Sequence, residues 1–362
     1  MPANFDLSNL ALKALAPNNE ILYDDKGLPS IMVKIPKMTY AQLGLGASTA
    51  VHPAFIVNGQ EVDAIYISKY QNIVQDGRAY SLPGEEPKHT INFDSAISAC
   101  TAKGAGWHLM TRAEWAMLAL WCKNNGSMPK GNNNYGKDST ESVYKAIPMA
   151  KDGSNQTTRV ATGSGPLEWS HDGTPNGIWD LNGNVNEWVG GIRLVKGELQ
   201  IMANNNAADK DKSQGASSAQ WMAIKASDGT LITPDGDGTT TGSVRLDYVS
   251  SAWKWIEGTI SSQSDSSRNC AFESVSADAA LGADTVLLLQ ALGLLKYDNT
   301  VGAYGGDYFY ANNGAAERSF YCGGVWLSGA YAGVFFCVGY SDRTVTGDSL
   351  GFRSAFVELP SA

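Results

Sequence analysis

Five cysteines and four histidines are the residues of this chain best suited to ligate a metal, form a disulfide or attack a substrate. Their spacing argues against all three. Cys100, Cys122, Cys270, Cys322 and Cys337 are odd in number and include no Cys-x-x-Cys, so neither a disulfide framework nor a zinc cluster is expected. Cys100 and Cys122 fall on apolar helix faces, where thiols serve as small core residues. His52, His89, His108 and His171 are far apart, with no His-x3-His pair. No serine elbow, phosphate-binding glycine loop or His-Glu-x-x-His motif occurs. The expectation is a chain that is not an enzyme.

The segment from Glu317 to Ala362 points to contact rather than catalysis. One set of its positions reads as a frame: Gly323-Gly324, Trp326, Gly329, Ala332-Gly333, Phe335, Arg343 and Gly351-Phe352-Arg353. The positions between hold no consistent chemistry: Tyr321, Cys322, Val325, Leu327, Ser328, Tyr331, Phe336, Val338, Tyr340, Ser341, Val345, Gly347 and Ser349. A reaction centre would place polar groups there. Aromatic, aliphatic and small residues instead make a ligand-binding face, with tyrosines as rigid anchors.

These residues need a scaffold rich in tight turns. The chain has 362 residues, 39 of them Gly, 10 Trp and 15 Tyr, and only 17% are charged. That suits a loop-rich fold with many aromatic contacts. A net charge of −9 without a Lys/Arg run disfavours nucleic acid. No apolar stretch suits membrane insertion, and the N-terminus lacks the basic and apolar regions of a signal peptide. Synthesis in the cytoplasm is therefore expected.

Residues 1–30 read as a polar N-terminal arm, able to pack on a neighbouring subunit. Ile31–Pro36 alternates as a strand, and His52–Val57, Gly59 and Val62–Ser68 read as strand, turn and strand. Asp94 is expected to begin a helix that closes at Gly104. Thr111-Arg-Ala-Glu114 is a capping box for a helix running to Gly126. Gly191–Met202 reads as a hairpin turning at Lys196-Gly197. Residues from about 203 to 300 read as an insertion, ending in an apolar helix over Leu281–Leu295 capped by Asp284. The variable C-terminal region spans about 317–357.

The run Asn176–Trp188, NGIWDLNGNVNEW, resembles the signature of the formylglycine-generating, sulfatase-modifying family, a branch of the C-type lectin fold. Met32–Pro36, His108–Trp115, Gly323-Gly324-Val-Trp326 and Gly351-Phe352-Arg353 resemble further family segments in the same order. The resemblance covers residues 31–362 and implies an α+β fold with long ordered loops, two main helices and an inserted subregion. It also implies a structural Ca2+ held by the Asp180 and Glu187 side chains and the Gly183 and Val185 carbonyls. Hard oxygen ligands suit that ion. The residues alone leave a second reading open, a loop held by hydrogen bonds of Asn182, Asn184 and Asn186 with the backbone.

The family's oxidases need a close cysteine pair just after Gly-Gly-Ser-Trp. Here Cys337 stands alone after Trp326, so no redox cofactor is expected. Glu86-Pro87-Lys88 only approaches the Glu-Pro-Asn of sugar-binding lectins, and no Trp-Asn-Asp follows.

The C-terminal frame resembles the variable region of proteins diversified by retroelements, among them phage tail-tip receptor-binding proteins of the major-tropism-determinant type. Adenine-directed mutagenesis of Asn codons reaches the residue types found in the gaps. This resemblance implies a phage or prophage tail protein that recognises a host-surface protein or glycan from the tail tip of the virion. It would act as a homotrimer or within a tail assembly, with avidity supplementing weak single contacts. The alternatives are an oxidoreductase of the formylglycine-generating type and a structural tail protein without receptor contact.

Overall fold

A computed structural model describes residues 6–360. Its helices are α1 (Leu7–Leu15), α2 (Phe93–Thr101), α3 (Arg112–Asn125) and α4 (Ala283–Ala291). Two sheets surround α3. The smaller has five strands in the order Asn19–Tyr23, Pro29–Pro36, Ala64–Ser68, Ser354–Phe356, Trp107–Leu109. The larger has twelve strands, centred on Asn186–Val195 and its neighbours Arg318–Cys322 and Glu198–Met202. The chain's last strands thus join both sheets, Leu350–Phe352 beside Asn186–Val195 and Ser354–Phe356 between Ala64–Ser68 and Trp107–Leu109.

Local chemistry explains the elements nearest the site. Thr111 Oγ1 accepts from Glu114 N at 3.2 Å, and Glu114 Oε2 accepts from Thr111 N at 2.9 Å, completing the capping box of α3. The helix stops at Gly126, whose φ of 66° suits a residue without Cβ. Lys196 and Gly197 both have positive φ, 46° and 88°, as a two-residue hairpin of this hand demands. The hairpin pairs Val195 with Glu198. One apolar cluster joins α3 (Trp115, Leu118, Cys122) to Ile192 and Leu199 of the hairpin and to Leu289 of α4.

Several expectations from the sequence are corrected. Residues 1–5 lie outside the described residues, but the rest of the expected arm is not separate. Asn19–Tyr23 pairs antiparallel along Pro29–Val33 as a sheet strand. Asn19 is fully buried and its side chain donates to Asn176 O at 2.7 Å. A five-residue strand, NEILY, without alternation leaves no periodic signal.

Within the expected insertion, residues 203–300, the strands Val244–Val249 and Ala252–Glu257 extend the larger sheet and bury Trp253 and Trp255 in the main core. Pro53–Phe55 forms a 3-10 turn where a strand was expected, because His52 Nδ1 accepts from Ala54 N and Pro53 pre-sets the turn. Helix α2 begins at Phe93, capped by Asn92 rather than opened by Asp94, and ends at Thr101. Helix α4 is capped by Gly282 and ends at Ala291, with Asp284 in its first turn.

Candidate binding face

The frame residues do what their types suggest. Gly324 has φ +81°, and a Cβ there would lie 2.5 Å from the Cβ of Ala332. This close approach draws the two ends of the Val325–Tyr331 loop together. Gly351 leaves no room for a side chain, since a Cβ would stand 2.5 Å from Lys88 O. Phe335 is buried, and its N–H donates to the Asp307 carboxylate at 2.7 Å. Trp115 Nε1 donates to Val334 O at 2.7 Å, tying the same loop to α3.

Arg343 is the clamp of the segment. Its Nε donates to Glu317 Oε2 at 2.8 Å, another nitrogen to Asp94 Oδ1 of α2 at 2.8 Å, and a third to Gln214 O at 2.9 Å. Arg193 reaches the same Glu317 at 2.8 Å. One guanidinium therefore joins three chain segments that are distant in sequence.

The thirteen expected contact positions divide in two. Leu327, Tyr331 and Val345 are exposed, by 57%, 48% and 38%. Ser328, Tyr340, Gly347 and Ser349 are half-buried. Ser328 Oγ accepts from Val325 N at 3.0 Å, so its hydroxyl serves the loop itself.

The other six face inward, which corrects the expectation of a surface role for them in the isolated chain. Tyr321, Phe336 and Val338 pack with Phe93 and Trp188 in an apolar cluster. Val325 packs with Val185 and Trp326. Cys322 is wholly buried, and Ser341 Oγ bonds the Tyr321 hydroxyl at 3.3 Å. Tyr321, Cys322, Val338 and Ser341 lie on strands whose successive residues are buried, and Val325 and Phe336 on the loop between them, so these gap residues fill space beneath the surface.

The inward and outward groups are continuous. The rings of Tyr331 and Tyr308 lie 4.1 Å apart, Tyr308 and Tyr310 6.0 Å, and Tyr310 and Tyr340 6.3 Å. Tyr340 then meets Tyr321 at 6.2 Å, and Tyr321 meets buried Trp188 edge-on at 5.1 Å. An aromatic path thus runs from an exposed ring to the core. Tyr308, Tyr310 and Tyr340 are each half-buried, presenting part of their rings to solvent.

Sequence reasoning missed Tyr308 and Tyr310, which lie outside the C-terminal segment. The alternation in Asp307–Ala311, with Phe309 wholly buried between them, was the available signal. Their strand pairs in parallel with Cys337–Ser341, setting Tyr310 against Val338. Burial raises the hydroxyl pKa of both tyrosines, and neighbouring tyrosines add to it, so they are neutral donors and acceptors at physiological pH.

The loop expected to hold calcium has a different tenant at its centre. Gln71 Nε2 lies 3.0 Å from Val185 O, 3.0 Å from Glu187 Oε1, 3.2 Å from Asp180 O and 3.5 Å from Gly183 O. Asn184 Nδ2 donates to Gln71 Oε1 at 2.9 Å, fixing which end of the amide points inward. Glu187 is paired with Arg353, whose Nε and a second nitrogen each stand 2.7 Å from its two oxygens. Asp180 turns its carboxylate away, where Oδ2 accepts from Gly163 N at 2.9 Å and Oδ1 has no partner. Burial pushes this carboxyl up to about 6.

Of the asparagines in the hydrogen-bonded reading, Asn182 and Asn184 take part, but Asn186 Oδ1 is buried without a partner. This donor set does not fit the expected coordination. The Asp180 side chain is not in it, and an amide nitrogen sits among the remaining oxygens.

Cys337 does not stand alone in space. It is the register partner of Cys322 across antiparallel strands, and Arg112 donates to Cys322 Sγ at 2.9 Å. Both thiols are wholly buried, so the pair is closed to a substrate in this conformation. The histidines have structural partners. His108 Nε2 is 2.8 Å from Glu114 Oε1, His52 bonds Ala291 O, and His171 Nδ1 accepts from Ile178 N. Burial holds His52 and His171 neutral, pushing each down to about 4. Among the described residues no cluster of three or more His, Cys, Asp or Glu could hold a metal, and no helix is long and apolar enough to cross a membrane.

Residues 49–213 match the family model described as sulfatase-modifying factor enzyme 1-like domain. The match is narrower than the span the motifs suggested, and it ends before the C-terminal segment. Together with the architecture it gives a C-type lectin-like fold of the α+β class. Remote likenesses to solved structures run along most of the chain. Variable protein 1 of Treponema denticola is 12% identical, with 95% of this chain and 100% of that one covered and a TM-score of 0.34. PvdO from Pseudomonas aeruginosa is 11% identical, with 94% and 98% covered and a TM-score of 0.32. The Major Tropism Determinant P3c variant is 10% identical, with 94% and 71% covered and a TM-score of 0.30. No curated protein matches the sequence.

Proposed function

We propose that this chain is a non-enzymatic binding protein whose C-terminal segment, with Tyr308 and Tyr310, presents an aromatic contact face to a host-surface protein or glycan. The observation that carries the reading is the ring path from exposed Tyr331 to buried Trp188. Half-buried tyrosines anchored by buried ones lose little conformational freedom on binding, and each offers an apolar ring with a polar tip. The Arg343 clamp and the close Gly324–Ala332 contact hold the backbone while exposed side chains change. Substitution at Leu327, Tyr331 or Val345 alters what is presented without touching the core.

In the fuller form of the reading, the chain is a phage or prophage tail protein at the tail tip, working as a homotrimer or in a tail assembly. Its exposed gap positions are diversified by a retroelement. The DNA beside the gene tests this. A near-copy of the 3′ coding segment, differing at template adenines and lying next to a reverse transcriptase gene, is the expected finding. Its absence from the source genome would remove diversification while leaving binding to be measured. Copper-dependent oxidation of a cysteine-containing peptide by the purified chain would overturn the non-enzymatic reading itself.

A further inference from the structure

The Asp180–Glu187 loop gathers more acceptors than its one donor can fully serve. Asp180, Gly183 and Asn184 have φ of 63°, 80° and 63°. This backbone turns the Asp180, Gly183 and Val185 carbonyls toward one point, where the Glu187 carboxylate joins them. A carboxamide NH2 has two hydrogens. Here it meets four oxygens at 3.0 to 3.5 Å, so its hydrogens are shared. Such convergence of oxygens with one negative charge asks for a positive centre.

The chain supplies it in two pieces. The positive end of the Gln71 amide dipole meets the carbonyls. The Arg353 guanidinium neutralises Glu187, and also donates to Ser68 O at 2.8 Å and Trp179 O at 2.9 Å. Gln71, Glu187 and Arg353 are all buried, at 0%, 1% and 0% exposure. The arrangement is therefore a closed part of the core.

We propose that the Gln71 carboxamide, together with Arg353, takes the place of a divalent cation in this loop, so that the fold is held without metal. Gln71 Nε2 already stands among the oxygens that a Ca2+ would draw in to 2.3–2.6 Å, and a calcium ion seeks six to eight of them. The Asp180 carboxylate, pointed at Gly163 N, is not among the converging groups. The consequence reaches the proposed binding face through Arg353, which follows Phe352 on the strand paired with Trp188. The metal-free loop does not rest on the binding reading, and it stands or falls separately.

Thermal unfolding of the full chain in 1 mM EDTA and in 1 mM CaCl2 tests the proposal. For the wild type the two Tm values should agree within about 1 °C, because a ligand that does not bind the native state does not stabilise it. Gln71→Ala empties the central position and Gln71→Glu adds a carboxylate there. In EDTA both should melt roughly 2–4 °C below the wild type, as expected for unsatisfied buried groups in a domain of this size. CaCl2 should restore part of that loss in each. A wild-type Tm that falls by several degrees in EDTA overturns the proposal, as does a Gln71→Ala variant as stable in EDTA as the wild type. If neither variant folds, the wild-type comparison decides alone.

Discussion

Tyr308 and Tyr331, 23 residues apart in sequence, stack with ring centroids 4.1 Å apart and an interplanar angle of 44°. One ring comes from a sheet strand and the other from a loop pinned at Gly324 and Ala332. The pair joins a sheet strand to the part of the chain proposed to vary. It also separates tyrosines of the C-terminal segment that look alike in sequence.

Tyr331 and Tyr321 should respond oppositely to truncation. Tyr331→Ala removes an exposed ring and should cost less than about 1 kcal/mol of stability, the worth of one aromatic pair. Tyr321→Ala empties a buried site against Trp188 and should cost about 3–5 kcal/mol. Urea unfolding of the two variants measures both. Equal losses would mean that Tyr331 is a core residue.

The Arg343 clamp makes a second prediction. Arg343→Met keeps an aliphatic side chain of similar length but removes the guanidinium that lies over the Phe93 ring and leaves Glu317 with Arg193 alone. Stability should fall by about 2 kcal/mol, the scale of lost charge-assisted hydrogen bonds at a partly buried site. Hydrogen exchange should quicken in residues 342–349 before it does in α3. Uniform loss of protection across the chain would contradict the local role.

Asp307 gives a pH dependence with a definite sign. Burial pushes its carboxyl up to about 8, against the hydrogen bonds from the Phe335 and Phe336 amides, with nearby Glu273 adding to the rise. The folded state therefore favours the protonated acid. Its contribution is complete below the usual carboxylate range near 4 and is lost as pH rises through about 8. The difference in stability between wild type and Asp307→Asn should shift in favour of the variant between pH 6 and 9. Parallel curves over that range would refute it.

The thiols should be silent in the native protein. All five cysteines are buried, and burial raises the pKa of Cys100 and Cys122. Ellman's reagent should find none of the five in a rapid native titration and all five in denaturant. A fast native thiol that disappears in Cys322→Ser or Cys337→Ser would show that this pair is reachable, and would reopen their pairing as chemistry.

The pattern of success and failure in the sequence reading has physical causes. The capping box at Thr111 and the hairpin turn at Lys196-Gly197 depend on neighbours in sequence, and both were legible. The glycines of the C-terminal frame were legible because close approach excludes other residues. Tyr321 and Val338 misled because strands covered on both faces carry apolar residues without alternation.

Gln71 could not be found from sequence alone. Its partners begin 109 residues away, and a glutamine in a loop has no periodicity or motif to mark it. The facing of Cys322 and Cys337 is likewise a product of strand register, invisible in their spacing. Asn19–Tyr23 joins the sheet without an alternating pattern because its partner strand supplies the hydrogen bonds.

The proposed aromatic face is expected to bind a cell surface. Binding of fluorescently labelled chain to a panel of bacterial strains, compared with that of Tyr331→Ala and of Tyr331→Ala combined with Tyr340→Ala, measures it most directly. The wild type should decorate at least one strain, and the double variant should lose at least roughly tenfold in binding while keeping a cooperative unfolding transition. Binding that is undiminished in the folded double variant would contradict it.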